Sequence, residues 1–373
     1  MQFTETCFLR IMAPMTTSIP CVLMRSGTSR GPFFLQEWLP ENPASRDRVL
    51  VSAIGSWDAS QIDGLGGGTS LTSKVAIVSG SSRPDCDVDY LFAQVSMDTQ
   101  TVDTRPNCGN MLAGVAPFAI EQGLVAPAEG ATVVRVHNVN TGARIDVQVQ
   151  TPGGRVTYDG DVCIDGVAKP AAPVYMRFLD AWGATTGQLF PTGRRTDLID
   201  GVPVSCIDAA MPMVLIPAEV MGLSGQESAA ELDARPGLAE RLESIRRQAG
   251  FMMGLGDVSD SVIPKPVLVA PGQDALSLHS RYFTPRRCHT AHAVTGAVGV
   301  ASALVLPGTV AYRGGLPPGQ QTVRVMHPSG ALQIALEIDE HAGEPVIRNA
   351  AVVRTVRKIL QGQLEVPAHL LAH

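Results

Sequence analysis

Three short, polar, glycine-rich segments stand beside apolar stretches and carry most of the residues that could do chemistry. They are Met24-Arg-Ser-Gly-Thr-Ser-Arg-Gly31, Asp63-Gly-Leu-Gly-Gly-Gly-Thr-Ser-Leu-Thr-Ser-Lys74 and Asn107-Cys108-Gly109-Asn110. In the second, glycines let backbone N–H groups crowd round an anion, and the hydroxyls of Thr69, Ser70, Thr72 and Ser73 add donors. It contains neither GxGxxG nor GxxxxGK[ST], which argues against a dinucleotide or a nucleoside triphosphate. Lys74 heads an apolar strand. A lysine there is ordinarily a snorkelling edge residue, but facing a cleft it would be desolvated into a neutral amine base. Cys108 precedes a run of small apolar residues that reads as a buried helix, whose free N–H groups and dipole would stabilise a thiolate or a carboxylate. Cys288, in Arg286-Arg287-Cys288-His289, precedes a second such run. Cys21, Cys163 and Cys206 lie in apolar strands and read as inert core thiols. Arg25, Arg286 and Arg287 are candidate carboxylate clamps. His289 and His292 are three residues apart without a nearby acid to complete a metal site, so they read as capping or core residues.

The elements that must position these groups recur along the chain. Strand Ile19–Leu23 resembles Val202–Ile207, and Lys74–Val78 resembles Lys265–Val269. The hairpin 134–149 resembles 323–338. Pro20 and Pro203, Lys74 and Lys265, Cys108 and Cys288, Gly142 and Gly330 stand 183, 191, 180 and 188 residues apart. Four matches in order imply a duplicated unit of about 185 residues. Alternation is strand-like over 134–136 and 145–149, with turns at Asn140-Thr-Gly142 and Pro328-Ser-Gly330. Segments 109–124 and 290–305 are apolar or small all round, as in helices enclosed on every side, with Pro117 kinking the first. Leu238, Leu242 and Ile245 mark an amphipathic surface helix over 238–248. The expected fold is α+β: two pseudo-symmetric lobes, 1–190 and 191–373, with the C-terminal segment crossing back. Each is a mostly antiparallel sheet around a buried helix with a cysteine at its N-terminus, and the active site lies in the cleft between them.

A chain of 373 residues suits two such domains. With 29 Lys and Arg against 35 Asp and Glu, the formal charge of −6 argues against a nucleic-acid backbone binder but leaves room for a small anion. The seven cysteines, at 7, 21, 86, 108, 163, 206 and 288, form no CxxC pair and no zinc spacing. Their odd number, and the absence of a long apolar run over residues 1–15, point to a reducing, cytoplasmic setting and an N-terminal extension ahead of the first strand. The uncharged stretch 288–312 carries polar residues and reads as a buried helix and strand rather than a membrane span.

The segments IPCVLMRSGTSRGPFF, SWDASQIDGLGGGTSLTSKVAIV, DVDYLFAQV, NCGNMLAGVAPFAIEQGLV, MGLGDVSDSVIPK and TPRRCHTAHAVTGAVGVA resemble the family of 4-oxalomesaconate tautomerases and 2-methylaconitate isomerases over residues 18–360. The resemblance implies a diaminopimelate-epimerase-like fold and cofactor-free movement of a double bond in an unsaturated tricarboxylate. It implies that Lys74 and Cys108 are catalytic, and it leans toward the tautomerase branch. Expected substrate contacts are Arg25, Gly27, Thr28 and Ser29 on the first segment, Thr69, Ser70 and Ser73 on the second, and Asn107, Gly109 and Asn110 around the cysteine. Lys265, Arg287 and His289 are expected from the second half. No metal and no cofactor is expected. The partner is a small di- or tricarboxylate, not nucleic acid or membrane, and a second copy of the chain is the one protein partner considered.

Such chemistry suits these residues. A hydrogen γ to a carbonyl through a C=C is acidified because its anion is delocalised; a lysine amine can take it and a thiol can return a proton at the other allylic end. Two other readings stay open. One is an epimerase using Cys108 and Cys288, against which stand His289 and Thr290 in place of a glycine-rich turn. The other is a binding protein for polycarboxylates that uses neither proton-transfer group.

Overall fold

A computed structural model describes residues 16–371 except 98, 180, 285, 315, 316 and 342. The N-terminal extension and Cys7 lie outside the described residues. The first half of the chain forms β1 (Thr16–Ser26), β2 (Ser29–Leu35), α1 (Pro43–Ile54), β3 (Lys74–Gly80), β4 (Val88–Val95), β5 (Val102–Asp103), α2 (Gly109–Leu112), α3 (Val115–Glu121), β6 (Gly130–Asn138), β7 (Arg144–Thr151) and β8 (Pro173–Phe178). The second forms β9 (Asp197–Ile199), β10 (Val202–Asp208), β11 (Pro212–Pro217), α4 (Ala229–Asp233), α5 (Leu238–Met252), β12 (Lys265–Pro271), β13 (Ser277–Tyr282), α6 (Val294–Val305), β14 (Gly319–His327), β15 (Gly330–His341) and β16 (Glu344–Pro367).

The pairing repeats. β1–β2 is antiparallel, β2–β3 parallel, β3–β4 antiparallel, β4–β6 parallel, and β6–β7 and β7–β8 antiparallel. β10 to β16 follow the same series: antiparallel, parallel, antiparallel, parallel, antiparallel, antiparallel. β16 is long because it serves both lobes. Its first part pairs with β15, its middle with β8, and its last part with β1, which closes the first lobe into a ring.

The first ring and the second sheet each enclose a helical segment of small and apolar residues, as expected. α6 is buried at all twelve positions. The first segment is broken into α2 and α3. Pro117 has no N–H to offer the Ala113 carbonyl, and Gly114 packs so closely on Phe33 that a β-carbon there would sit 2.6 Å from its ring. Phe33 stacks on Phe118 at 5.6 Å inside the same core. On the outer side, α5 buries Leu238, Leu242, Ile245 and Ala249 against the second sheet, as its spacing predicts. Among the described residues no helix is long and apolar enough to cross a membrane.

Two expectations are corrected. α6 starts at Val294, not near residue 290, so Cys288 is not at its N-terminus. The chain first returns along β13: the His289 amide donates to Tyr282 O at 2.7 Å and that of Thr284 to Arg287 O at 2.8 Å. By helix position the counterpart of Cys108 is the N-cap Ala293, 185 residues later. Cys163 is exposed in a loop rather than set in a strand.

The lobes meet where the helices begin. Gly109 and Val294 are the first residues of α2 and α6, and a β-carbon on Gly109 would lie 2.8 Å from Val294 Cβ. Gly109→Ala is expected to lower the unfolding free energy by about 1–3 kcal/mol, the usual cost of overpacking. Urea denaturation checks this; an unchanged midpoint would mean that the seam has slack.

Candidate active site

Lys74 is the first residue of β3, directly opposite Gln94 on β4. Its Nζ donates to Gln94 Oε1 at 3.1 Å and lies 5.3 Å from the centre of the Phe92 ring. Gln94 is itself oriented, its Nε2 donating to Ser73 O at 2.8 Å. Antiparallel register puts residues 74 and 94 on the same face of the sheet, so pairing the two strands from sequence would have found Gln94.

The glycine-rich loop before Lys74 is folded on itself. Buried Gln61 accepts from the Gly67 and Gly68 amides at 3.0 and 2.9 Å and bonds Ser73 Oγ. Arg30 Nη2 donates to Leu65 O and Gly66 O. The hydroxyls of Thr69 and Thr72 bond each other, and Ser73 donates to Thr69 O. The expected offer of these amides and hydroxyls to an anion is therefore corrected for Gly67, Gly68 and Ser73, whose donors hold the loop. Ser70 keeps its hydroxyl free of bonds among the described residues, while its carbonyl faces Gln94. Gln61 carries no sequence signal, because a glutamine in a polar loop looks like any other.

Cys108 is buried at the N-cap of α2, and its carbonyl accepts from Tyr90 Oη at 3.1 Å. Its neighbours build the seam. Asn107 Nδ2 donates to Ala210 O of the second lobe at 2.9 Å, while Asn107 Oδ1 is buried without a partner. Asn110 Nδ2 donates to Thr28 Oγ1 at 3.1 Å, and its Oδ1 accepts from the Thr28 amide at 3.4 Å. Gly27 has a φ of +54° and rests on the Asn110 amide group, where no side chain would fit. Gly27, Thr28 and Asn110 thus hold one another, and buried Ser29 Oγ has no partner among the described residues. Arg25 is tied elsewhere. Its Nη1 donates to Thr355 O at 2.5 Å and Thr355 Oγ1 at 2.9 Å, and burial, with Arg357 nearby, pushes it down to about 10. The expected carboxylate clamp at Arg25 is thus a brace on β16.

From the second lobe comes Lys265, the first residue of β12. It is buried, and among the described residues its amine makes no hydrogen bond or ion pair. Burial first, and then the charge of Lys74, hold it down to about 7; Asp103 and Cys108 act in the opposite sense. Lys74, Cys108 and Asp103 of the first lobe are thus near enough to Lys265 to act on its charge. His289 joins them. Its Nδ1 accepts from the Ala291 amide at 3.0 Å, which leaves the proton of the neutral ring on Nε2. Burial, and after it Lys74, hold the ring well below the usual imidazole range. Tyr282 borders Cys108 from this side, and both burial and that cysteine push its hydroxyl up.

Other candidates are not brought in. Arg286 and Arg287 are exposed on the turn before Cys288. Cys288 packs in the separate core under α4 and α5, its amide donating to Asp233 at 2.7 Å, and burial pushes its thiol up to about 12. His292 spends both ring nitrogens, on Ser280 Oγ and Ala293 O, each at 2.8 Å, so His289 and His292 do not form a ligand pair.

The two like sheets, each around a buried helix, are the fold of the proline-racemase-like epimerases. A hydroxyproline epimerase from Agrobacterium vitis covers 94% of this chain, and 93% of its own, with a TM-score of 0.55 at 12% identity. Within that fold, the chain belongs to the PrpF protein family, whose model matches residues 16–367. It is 47% identical over 348 residues to a 4-oxalomesaconate tautomerase of Pseudomonas putida, covering 93% of this chain and 95% of the relative. A crystallised methylitaconate-delta-isomerase superposes with a TM-score of 0.75 at 34% identity, covering 96% of this chain and 98% of its own. The chain is an enzyme of the isomerase class.

Two expected outcomes follow from this geometry. Cys288→Ala should keep isomerase turnover within about tenfold, or roughly 1.4 kcal/mol of barrier; a loss of several orders of magnitude in a folded variant would restore the two-cysteine reading. Gln94→Glu should pair a carboxylate with Lys74 and raise KM for an anionic substrate by about tenfold or more. Steady-state kinetics measures it, and an unchanged KM would show that Gln94 does not govern Lys74.

Proposed function

We propose that this enzyme is a 4-oxalomesaconate tautomerase, moving a C=C bond in an unsaturated tricarboxylate by 1,3-allylic proton transfer between Lys74 and Cys108. The observation that supports the reading is the electrostatic nearness of groups from both lobes. Lys74 and Cys108 come from the head of a strand and the head of a helix, and Lys265 and His289 close on them from the other lobe. The relative at 47% identity bears the tautomerase name, against 34% for the methylitaconate enzyme, which favours the oxo-tricarboxylate over the methylated substrate.

The chemistry asks for little else. A C–H bond γ to the carbonyl breaks, and its proton passes to a basic side chain. The electron pair moves into the conjugated system, and the other allylic carbon takes a proton from the second side chain. Negative charge collects on the substrate's oxygens between the two events. Fixed donors there are worth roughly 3–4 kcal/mol each when well placed. The His289 Nε2–H and the Lys265 amine are donors of that kind, on buried residues and without partners among the described residues. Lysine on one side and cysteine on the other give an asymmetric pair, suited to two different carbons rather than to two faces of one.

Solvent-deuterium exchange into 4-oxalomesaconate, 2-methylaconitate and the aconitates tests the reading. Lys74→Met should reduce turnover at least about a hundredfold, the low end for general acid–base transfer, while an unreactive tricarboxylate still binds, more weakly. Cys108→Ser should slow the reaction and keep exchange at the carbon served by Lys74. If the lysine variant exchanges there and the cysteine variant does not, the two roles are reversed. Parental rates in both folded variants on every substrate would falsify the assignment, and strict preference for 2-methylaconitate would move the substrate within the family.

A further inference from the structure

Duplication has placed a second lysine where the first stands. Lys74 opens β3 and Lys265 opens β12, each on the strand that runs parallel to its neighbour. Their surroundings differ. Lys74 is half-buried and donates to Gln94. Lys265 is 6% exposed, and its amine bonds nothing among the described residues. β13 ends at Tyr282, and the chain turns back to Cys288, so no glutamine stands opposite Lys265. Across β12, the neighbour in register is Met213, which is apolar.

The chain leading to the lysine is also fastened. Arg246 on α5 is fully buried, paired to Glu243 at 2.6 Å, and donates to Val258 O, Ser261 O and Ile263 O. That fan of bonds pins the segment leading into Lys265. The charged and titratable groups around the amine are Lys74 from β3, Asp103 from β5, Cys108 from α2 and Arg246 from α5. Two of them are cations. Arg246 is neutralised by Glu243, whereas Lys74 has only an amide partner.

We infer that Lys265 is a carboxylate-binding residue charged by its ligand: a proton enters from solvent together with the substrate anion. Without a bound anion a second ammonium beside Lys74 would be buried with no ion-pair partner among the described residues, since nearby Asp103 is paired with Arg105 at 3.0 Å, and that is the costly arrangement. The amine is accordingly neutral above about pH 7. A carboxylate seated between the two lysines removes that cost and favours the charged form. The step is balanced as –NH2 plus H+ giving –NH3+, with solvent buffer as the proton source. This inference rests on the polycarboxylate reading above, since a neutral substrate would not drive the uptake.

Calorimetry of tricarballylate, a saturated and unreactive tricarboxylate, tests it at pH 8 in phosphate and in Tris, whose ionisation enthalpies differ. The parent should take up close to one proton per ligand bound, and less as the pH falls through about 7. Lys265→Met should take up none and bind about tenfold to a hundredfold more weakly. Binding by the parent without uptake, or equal uptake by the variant, overturns the inference while the substrate class stands. No binding of tricarballylate or of any panel tricarboxylate removes both. A fold control is built in. Folding holds Lys265 neutral where an unfolded lysine is charged, so parent stability rises with pH between about 7 and 10.5. Lys265→Met should therefore melt above the parent at pH 7–8, with the gain shrinking toward pH 10. A lower melting temperature at pH 7 counts against a desolvated amine and overturns the inference.

Discussion

Gly109 touches Val294 with no room for a β-carbon between them, and the rest of the molecule is arranged around that contact. It joins the first turns of two buried helices from opposite lobes. The same seam is held by Asn107 on Ala210 O, and by Asn110, which reaches Thr28 at 3.1 Å and His292 O at 3.5 Å. With the helix starts fixed, the heads of β3 and β12 are fixed too, because each helix is packed inside the sheet that carries the strand. Two lysines are thereby forced close together in a buried place. Burial, and after it the charge of Lys74, hold the Lys265 amine down to about 7.

Topology was duplicated more faithfully than chemistry. The series of parallel and antiparallel pairings is the same in both lobes, but the helix N-cap is Cys108 in one and Ala293 in the other. The loops leading to the two lysines are fastened differently. Gln61 and Arg30 close the first with amide and guanidinium bonds, and Arg246 closes the second by gathering three carbonyls. Symmetric cysteines would face both sides of one carbon. In the proposed site a lysine and a cysteine come from the first lobe and a second lysine and a histidine from the other, an unlike set of the kind that transfer between two unlike carbons would use.

Much of this was legible before folding was considered. The paired offsets near 185 residues predicted the two lobes, and apolar periodicity predicted the hairpins, the enclosed helices and α5. Resemblance pointed to Lys74 and Cys108. What escaped was decided by three-dimensional competition for hydrogen bonds. Cys288 looked like the twin of Cys108 because each precedes a small-residue run, yet the 282–289 hairpin delays the second helix by several residues. The glycine-rich loop looked like an anion cradle, and Gln61 uses its amides first. Arg25 looked like a clamp, and β16, from the far end of the chain, captures it. Thr355 is far in sequence from Arg25; the Tyr282–His289 and Gln61–Gly67 partners are near, but their polar context gave no sign of the pairing.

The choice of partners for the buried cations separates structure from function. Where a permanent charge is needed, as at Arg246, the chain supplies a carboxylate at 2.6 Å and three carbonyl acceptors. At the cleft it withholds them. Lys74 is oriented by an amide, and Lys265 by packing alone. A carboxylate at either place would satisfy the ammonium and compete with an incoming anion for it. An amide aims the amine without competing, and an empty site leaves the full electrostatic gain to the ligand. An unpartnered nitrogen on a buried residue is ordinarily a defect; under the inference above, a bound carboxylate would relieve its cost, and proton uptake and anion affinity would follow from the same arrangement of lysines.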